Sequence, residues 1–262
     1  MATWDWQTWQ GQVFLTCDLL QDWSHGFFTR QFWPQTPEAL TAVLDATAAV
    51  QRVKQVHGNR VLAPADLPVP DLKEMAEADG LLSDRPQQAL WVCSADCSPV
   101  LIGDRATGQV SAIHAGWRGT AQAIVPVAVS KMQAQGSRLQ DLVVAIGPAI
   151  AGEVYQVSVD VAAAVGRTIV PQPADNDEVL VAALQRHQQS PVLGDDAPDK
   201  VRLDVRLANR WQLEQLGLRP EQVAIAPHCT FQDSERFFSY RRTGEKQVQW
   251  SGIVSQGPGK SQ

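Results

Sequence analysis

Nowhere does the sequence hold a run of the roughly 18 apolar residues needed to span a bilayer. The opening stretch, MATWDWQTWQ, also lacks the basic segment followed by an apolar core that a secretory signal requires. The expectation is a soluble, cytoplasmic protein with no membrane partner. Positive charge is scarce as well: 22 Lys and Arg face 28 Asp and Glu, for a formal net charge of −6. That balance gives no broad attraction for nucleic acid, so small molecules are the expected partners. Cysteine is sparse. Cys17, Cys93, Cys97 and Cys229 are scattered rather than spaced as a disulfide framework, and Cys93 and Cys97 are too far apart to bridge if their segment is extended. Thiol and metal roles are therefore open to them. No internal repeat or low-complexity tract is present.

What the chain does have is enough apolar residue, 44% of 262, to bury one large core. A single domain over 1–262 is expected, of mixed α/β class. Residues 1–11 form an edge segment pinned by Trp4, Trp6 and Trp9, and 12–20 reads as a strand. Pro37 and Glu38 suit the start of a helix over 37–49. Residues 51–62 alternate as a strand until His57-Gly58-Asn59 interrupts them. A surface loop with a short helical turn follows over 63–78, then a turn into an apolar segment over 78–84. The strongest strands are 90–102 and 108–115. The strongest helix is 119–135, capped by Thr120, with Pro126 in conflict unless its regular part starts near Val125. Further on come a strand over 141–150, a helix from 157, a mobile loop or insertion over 171–200, and an amphipathic helix over 201–216 stopped by Gly217. A strand over 223–226 and segments 237–242 and 248–254 complete the sheet.

Residues 91–124 carry the chemistry. Two buried runs lead to Ala95-Asp96-Cys97 and to His114-Ala115-Gly116-Trp117-Arg118-Gly119. The 17-residue separation of Cys97 from His114 is too long for a zinc knuckle, so only the tertiary fold can bring the two together. A thiolate meeting an imidazole makes either a metal site or a nucleophile with its base. Beyond His114, a glycine-bracketed turn into a helix presents backbone N–H groups to an anion, with Arg118 and Gly119 beside them. Taken singly, His57, Asp79 and Arg30 have bland alternatives: an isolated histidine, a turn cap and an ion-paired surface arginine.

Seven strings recur together in this order: HGFFTR (25–30), QVHGNRV (55–61), ADGLLSD (78–84), ADCSPVLIGD (95–104), HAGWRGT (114–120), AIGPAI (145–150) and FFSYRR (237–242). Their combination resembles the YfiH-like family, also described as laccase-like multicopper polyphenol oxidases or purine nucleoside phosphorylases. The resemblance implies a layered sandwich of sheets covered by helices. It also implies that His57, Cys97 and His114 are zinc ligands, and that the activity is phosphorolysis of adenosine, inosine, guanosine and 5′-methylthioadenosine, with adenosine deamination. Nucleoside and phosphate are then the partners, for a monomer or homodimer. On this reading Arg118, Gly119 and Arg30 take the phosphate, Cys97, His114, Arg118 and Asp79 serve catalysis, and Asp79 and Asp96 orient the ligands. One thiolate and two imidazoles suit Zn²⁺ and leave a fourth tetrahedral position open. The same donors also hold copper, although five histidines are too few for a blue multicopper oxidase. Other readings are a Cys97–His114 hydrolase acting on peptidoglycan precursors and a binding module with structural zinc. The sequence departs from the family after Arg30, where QFWPQTPEAL replaces a Gly-Gly-Val-Ser segment, and at Glu245-Lys246-Gln247.

Overall fold

The structure, a computed structural model, describes residues 2–67, 75–170 and 174–257. Two six-stranded sheets share one core. The first runs, edge to edge, Trp4–Trp9, Gln12–Cys17, His25–Phe28, Gln249–Val254, Gln88–Ser94, Ala49–Gln51. The second runs Val223–Ile225, Leu142–Ile146, Ser98–Asp104, Val110–Ala115, Gly80–Leu82, Val61–Leu62.

Strand periodicity explains how the sheets stack. Leu101, on Ser98–Asp104, joins Leu15, Phe27, Leu90 and Val92 of the first sheet, while its neighbours Val100 and Ile102 face the other way. There they meet Ile124, Val125, Ala128, Val129 and Met132, one stripe of the helix Ile124–Ala134, together with Leu213 of the helix Val205–Gln215. The outer face of the first sheet packs Phe14, Phe28 and Trp91 against Leu40 of the helix Pro37–Leu44. Each fully buried leucine contributes about 1.5–3 kcal/mol relative to exposure. The result is the expected layered α/β sandwich, and no helix of the described residues is long and apolar enough to cross a membrane.

Several expected elements differ in the structure. The run 90–102 is two strands in different sheets, Gln88–Ser94 and Ser98–Asp104, with the chain crossing between layers at Asp96, φ +96°. Cys97 therefore opens the second strand instead of ending the first. The helix 119–135 is also two pieces, Trp117–Ala121 and Ile124–Ala134, separated at Ala123 with φ +55°. Pro126 thus falls in the first turn of the second piece, where a missing N–H costs nothing. Thr120 lies inside the first piece and bonds Asn209 rather than capping.

The described part of 171–200, expected as a mobile loop or insertion, is not a loop but carries the helix Asp177–Gln185 and the strand Val192–Gly194. Leu180, Val181, Leu184 and Val192 are buried with Ala162, Val165 and Leu203 in a separate core beneath a three-stranded sheet. Their apolar period outweighs the polar flanks. The helix 201–216 is instead a strand, Lys200–Leu203, and a helix Val205–Gln215 whose N-cap Asp204 accepts the Arg206 and Leu207 N–H groups. Residues 240–243 form a short helix, not a strand. The loop expected over 63–78 contains its helical turn at Pro64–Asp66; its remainder over 68–74, like 171–173, lies outside the described residues.

Candidate metal centre and active site

Antiparallel pairing of Ser98–Asp104 with Val110–Ala115 sets Ser98 opposite Ala115. The residues just beyond, Cys97 and Gly116, are therefore neighbours: a Cβ on Gly116 would stand 2.8 Å from the Cys97 sulfur. Only glycine leaves room for the thiolate there. Next in the sheet, Gly80 pairs with Ile113, and the His114 N–H donates to the Asp79 carbonyl at 2.7 Å. Three separate segments thus deliver Cys97, His114 and Asp79 to one end of the second sheet.

Asp79 organises the centre. It is fully buried, and its carboxylate accepts from four groups: the N–H groups of Val56 (3.2 Å), His57 (2.9 Å) and Gly58 (2.7 Å), and His114 Nδ1 (2.9 Å). Burial alone would raise its pKa, but the His114 bond and the Gly58 and His57 amides hold it below the usual carboxylate range. Three successive amides wrapped on one anion put His57 in the left-handed region, φ +62°, and turn its ring towards His114. The two rings meet edge-on, centroids 4.8 Å apart. With Nδ1 of His114 committed to Asp79, Nε2 is the nitrogen left for a ligand.

His57, Cys97 and His114 converge, their ligand atoms all within 4.8 Å of one another. Burial by itself would raise the Cys97 thiol, yet the His114 charge and the bonds from His114 and His57 bring it down to about 6. Burial opposes a charged His114, and the Cys97 thiolate and Asp79 push it up to about 9. Both shifts run in the direction of a thiolate–imidazolium pair. One soft and two borderline donors, held by a buried carboxylate, fit a tetrahedral metal with one open position, so this cluster could hold a metal.

The other predicted residues are distributed less tightly. Arg118 lies exposed on the helix Trp117–Ala121, whose N-cap Gly116 makes no side-chain cap. Gly119 is buried, and a Cβ there would meet the Gly58 carbonyl at 2.9 Å, so it lets the His57 loop close on the helix. Arg30 donates to the Ser234 carbonyl and stacks on Phe238 at 4.7 Å; no hydrogen bond or ring contact among the described residues links it to the trio. Asp96, expected to orient a ligand, instead accepts from the Thr230 hydroxyl and the Arg241 N–H, both at 2.7 Å.

A family model described as multi-copper polyphenol oxidoreductase laccase matches residues 35–255. The chain belongs to this family. Among similar proteins is one from Synechocystis named as a purine nucleoside phosphorylase, 52% identical over 256 residues, covering 96% of this chain and 97% of the relative. A protein from an unknown prokaryotic organism named adenosine deaminase RL5 is 30% identical over 168 residues, 63% of this chain and 57% of that one. The crystal structure of YlmD from Geobacillus stearothermophilus has the same fold, with TM-score 0.79 at 24% identity over 96% of this chain and 98% of that one.

In this laccase-like member, two residues near Cys97 escaped the sequence reading. Tyr155, on the connection after the strand Leu142–Ile146, carries the Arg241 guanidinium 4.7 Å over its ring. Burial and then the Cys97 thiolate push its phenol up to about 12, against the pull of Arg241 and Arg118. The only advance signal was the Arg241 position inside the FFSYRR string; Tyr155 had none.

Proposed function

We propose that the protein is a zinc-dependent purine nucleoside phosphorylase that also deaminates adenosine at the same site, with adenosine, inosine, guanosine and 5′-methylthioadenosine as substrates. The observation that carries this reading is the convergence of His57, Cys97 and His114 under the lock of Asp79. The relatives named for phosphorolysis and deamination support the substrate class. His57, Cys97 and His114 would hold the zinc, which would supply Lewis acidity to the reaction when bound.

The remaining work belongs to the chain. Asp79 keeps His114 in the tautomer that offers Nε2, and its grip on the His57 backbone fixes the second imidazole. Arg118 takes the charge of inorganic phosphate, with the uncapped amides beside it at Trp117 to Gly119. Arg30, tied to Ser234 and Phe238, is not needed in that set. Phosphate attacks the anomeric carbon of the sugar as the purine leaves, which gives the sugar 1-phosphate and the free base. The test is metal analysis of the purified protein beside an assay on adenosine and inosine. Base release that requires phosphate and accompanies bound zinc is expected; release at an unchanged rate without phosphate would reject phosphorolysis.

One observation favours a second reading. Asp79, His114 and Cys97 lie in the order carboxylate, imidazole, thiolate, the arrangement of a cysteine hydrolase such as an amidase on peptidoglycan precursors. Under that reading, metal-free protein is active and loses its activity on alkylation of Cys97. Under the phosphorylase reading, metal removal alone abolishes activity. A multicopper oxidase would need more imidazoles than are at hand, since His25 bonds Cys17 and Trp23, His187 packs on Trp211 and His228 on Trp6.

A further inference from the structure

Two cation–aromatic pairs stand near Cys97. Arg118 lies 4.5 Å over Trp117 and Arg241 lies 4.7 Å over Tyr155, and both rings pack on the same core, that of the smaller sheet and its helices. A guanidinium stacked on a ring keeps its in-plane N–H donors pointing outward, which is the geometry for gripping an oxyanion. Of the neighbouring arginines, Arg242 gives its donors to the carbonyls of Thr230, Phe231 and Phe237. Arg30 gives one to Ser234 and stacks on Phe238, much as Arg241 is held, but no hydrogen bond among the described residues links it to Asp96 or the trio. Arg241 commits only Nη1, to the Gln156 carbonyl at 2.8 Å, and among the described residues the Arg118 guanidinium commits none. The Tyr155 hydroxyl likewise has no hydrogen-bond partner there, although its ring is partly buried.

The segment is anchored next to the metal ligand. Asp96, immediately before Cys97, accepts the Arg241 N–H and the Thr230 hydroxyl, and its carbonyl accepts the Ile150 N–H at 3.0 Å. Asp96 thereby ties the start of the helix Tyr240–Thr243 to the turn that carries Cys97. Both Asp96 donors are neutral, so it keeps its charge, and at this wall the two guanidiniums of Arg118 and Arg241 stand against that one carboxylate.

We propose that Arg118, Arg241 and the Tyr155 hydroxyl form the anion-binding wall of the site and hold inorganic phosphate beside the His57–Cys97–His114 centre. The choice of phosphate as the anion rests on the phosphorylase reading above. Tyr155 donates its O–H to a phosphate oxygen, and the two guanidiniums take the others in their planes.

The test is titration of the metal-loaded full chain with inorganic phosphate by calorimetry in chloride buffer, with Arg241→Gln and Tyr155→Phe compared at equal metal content. Saturable binding to the unmodified protein, weakened about tenfold or more in each variant, is expected for loss of a hydrogen bond to a charged group. Arg241→Gln keeps the backbone bond to Asp96. Tyr155→Phe removes one oxygen and keeps the ring, so it carries the test alone if the arginine variant fails to fold. No phosphate binding, or equal binding in folded variants, overturns the proposal. If binding weakens as expected but no nucleoside is cleaved with phosphate, the wall stands and the phosphorylase reading falls.

Discussion

Replacing Asp79 with Asn probes the centre at its most connected point. The carboxylate is 0% exposed and accepts from Val56, His57 and Gly58 amides and from His114 Nδ1. An asparagine of the same shape keeps one acceptor oxygen and turns an NH₂ group on the donors facing its other side. Two charge-assisted bonds are lost at about 1.5–3 kcal/mol each, so the metal-free protein loses roughly 3–6 kcal/mol. At about 2–4 °C per kcal/mol for a chain approaching this size, Tm falls by roughly 6–24 °C. Metal affinity falls further, by about 10–100-fold, because His114 loses the partner that fixes its tautomer and the His57 loop is no longer held in the left-handed region. Differential scanning fluorimetry of the metal-free protein and chelator competition on the loaded protein read the two effects separately. A variant with unchanged Tm and unchanged metal affinity would refute the role given to Asp79.

Gly116→Ala places a Cβ 2.8 Å from the Cys97 sulfur and should displace the thiolate, cutting kcat/KM by about 100-fold while circular dichroism stays native. The metal-free Cys97 thiol is brought to about 6 and His114 raised to about 9, so between those values one proton, that on His114, must leave when metal binds. Metal affinity should therefore rise about tenfold per pH unit up to about pH 9 and then level off, and it should fall more steeply below about pH 6, where the thiol also holds its proton; a pH-independent affinity over this range would contradict the pairing. Leu184→Ala, at a fully buried position in the smaller core, should cost about 2–5 kcal/mol in urea unfolding, whereas a loop residue would cost about 0.5 or less.

The legible part of this protein is where local chemistry and strand pattern coincide. Cys97 and His114 follow apolar runs, which pointed to their meeting at one site, whereas His57, where Gly58 breaks an alternating segment, read alone as an isolated histidine and joined them only through the family resemblance. What hid the rest was tertiary. The stretch 90–102 reads as one strand although Ser94, Asp96 and Ser98 interrupt its apolar residues, because the turn at Asp96 is fixed by bonds to Thr230 and Arg241 far along the chain. Pro126 conflicted with a continuous helix over 119–135, yet the break at Ala123 has no residue that signals φ +55°. The helix Asp177–Gln185 has a capping Asn176 and a clear apolar period, but Pro, Asp and Gln on both sides masked it. Tyr155 and Arg241 reach the site from a connection and a four-residue helix, elements with no periodicity to read.

X-ray absorption at the zinc edge of the purified, metal-loaded protein tests the central claim most directly. A shell of one sulfur at about 2.3 Å and two imidazole nitrogens at about 2.0 Å, with a lighter fourth scatterer, is predicted, and the sulfur shell should vanish in Cys97→Ala. A first shell without sulfur, or one unchanged by that substitution, would contradict it.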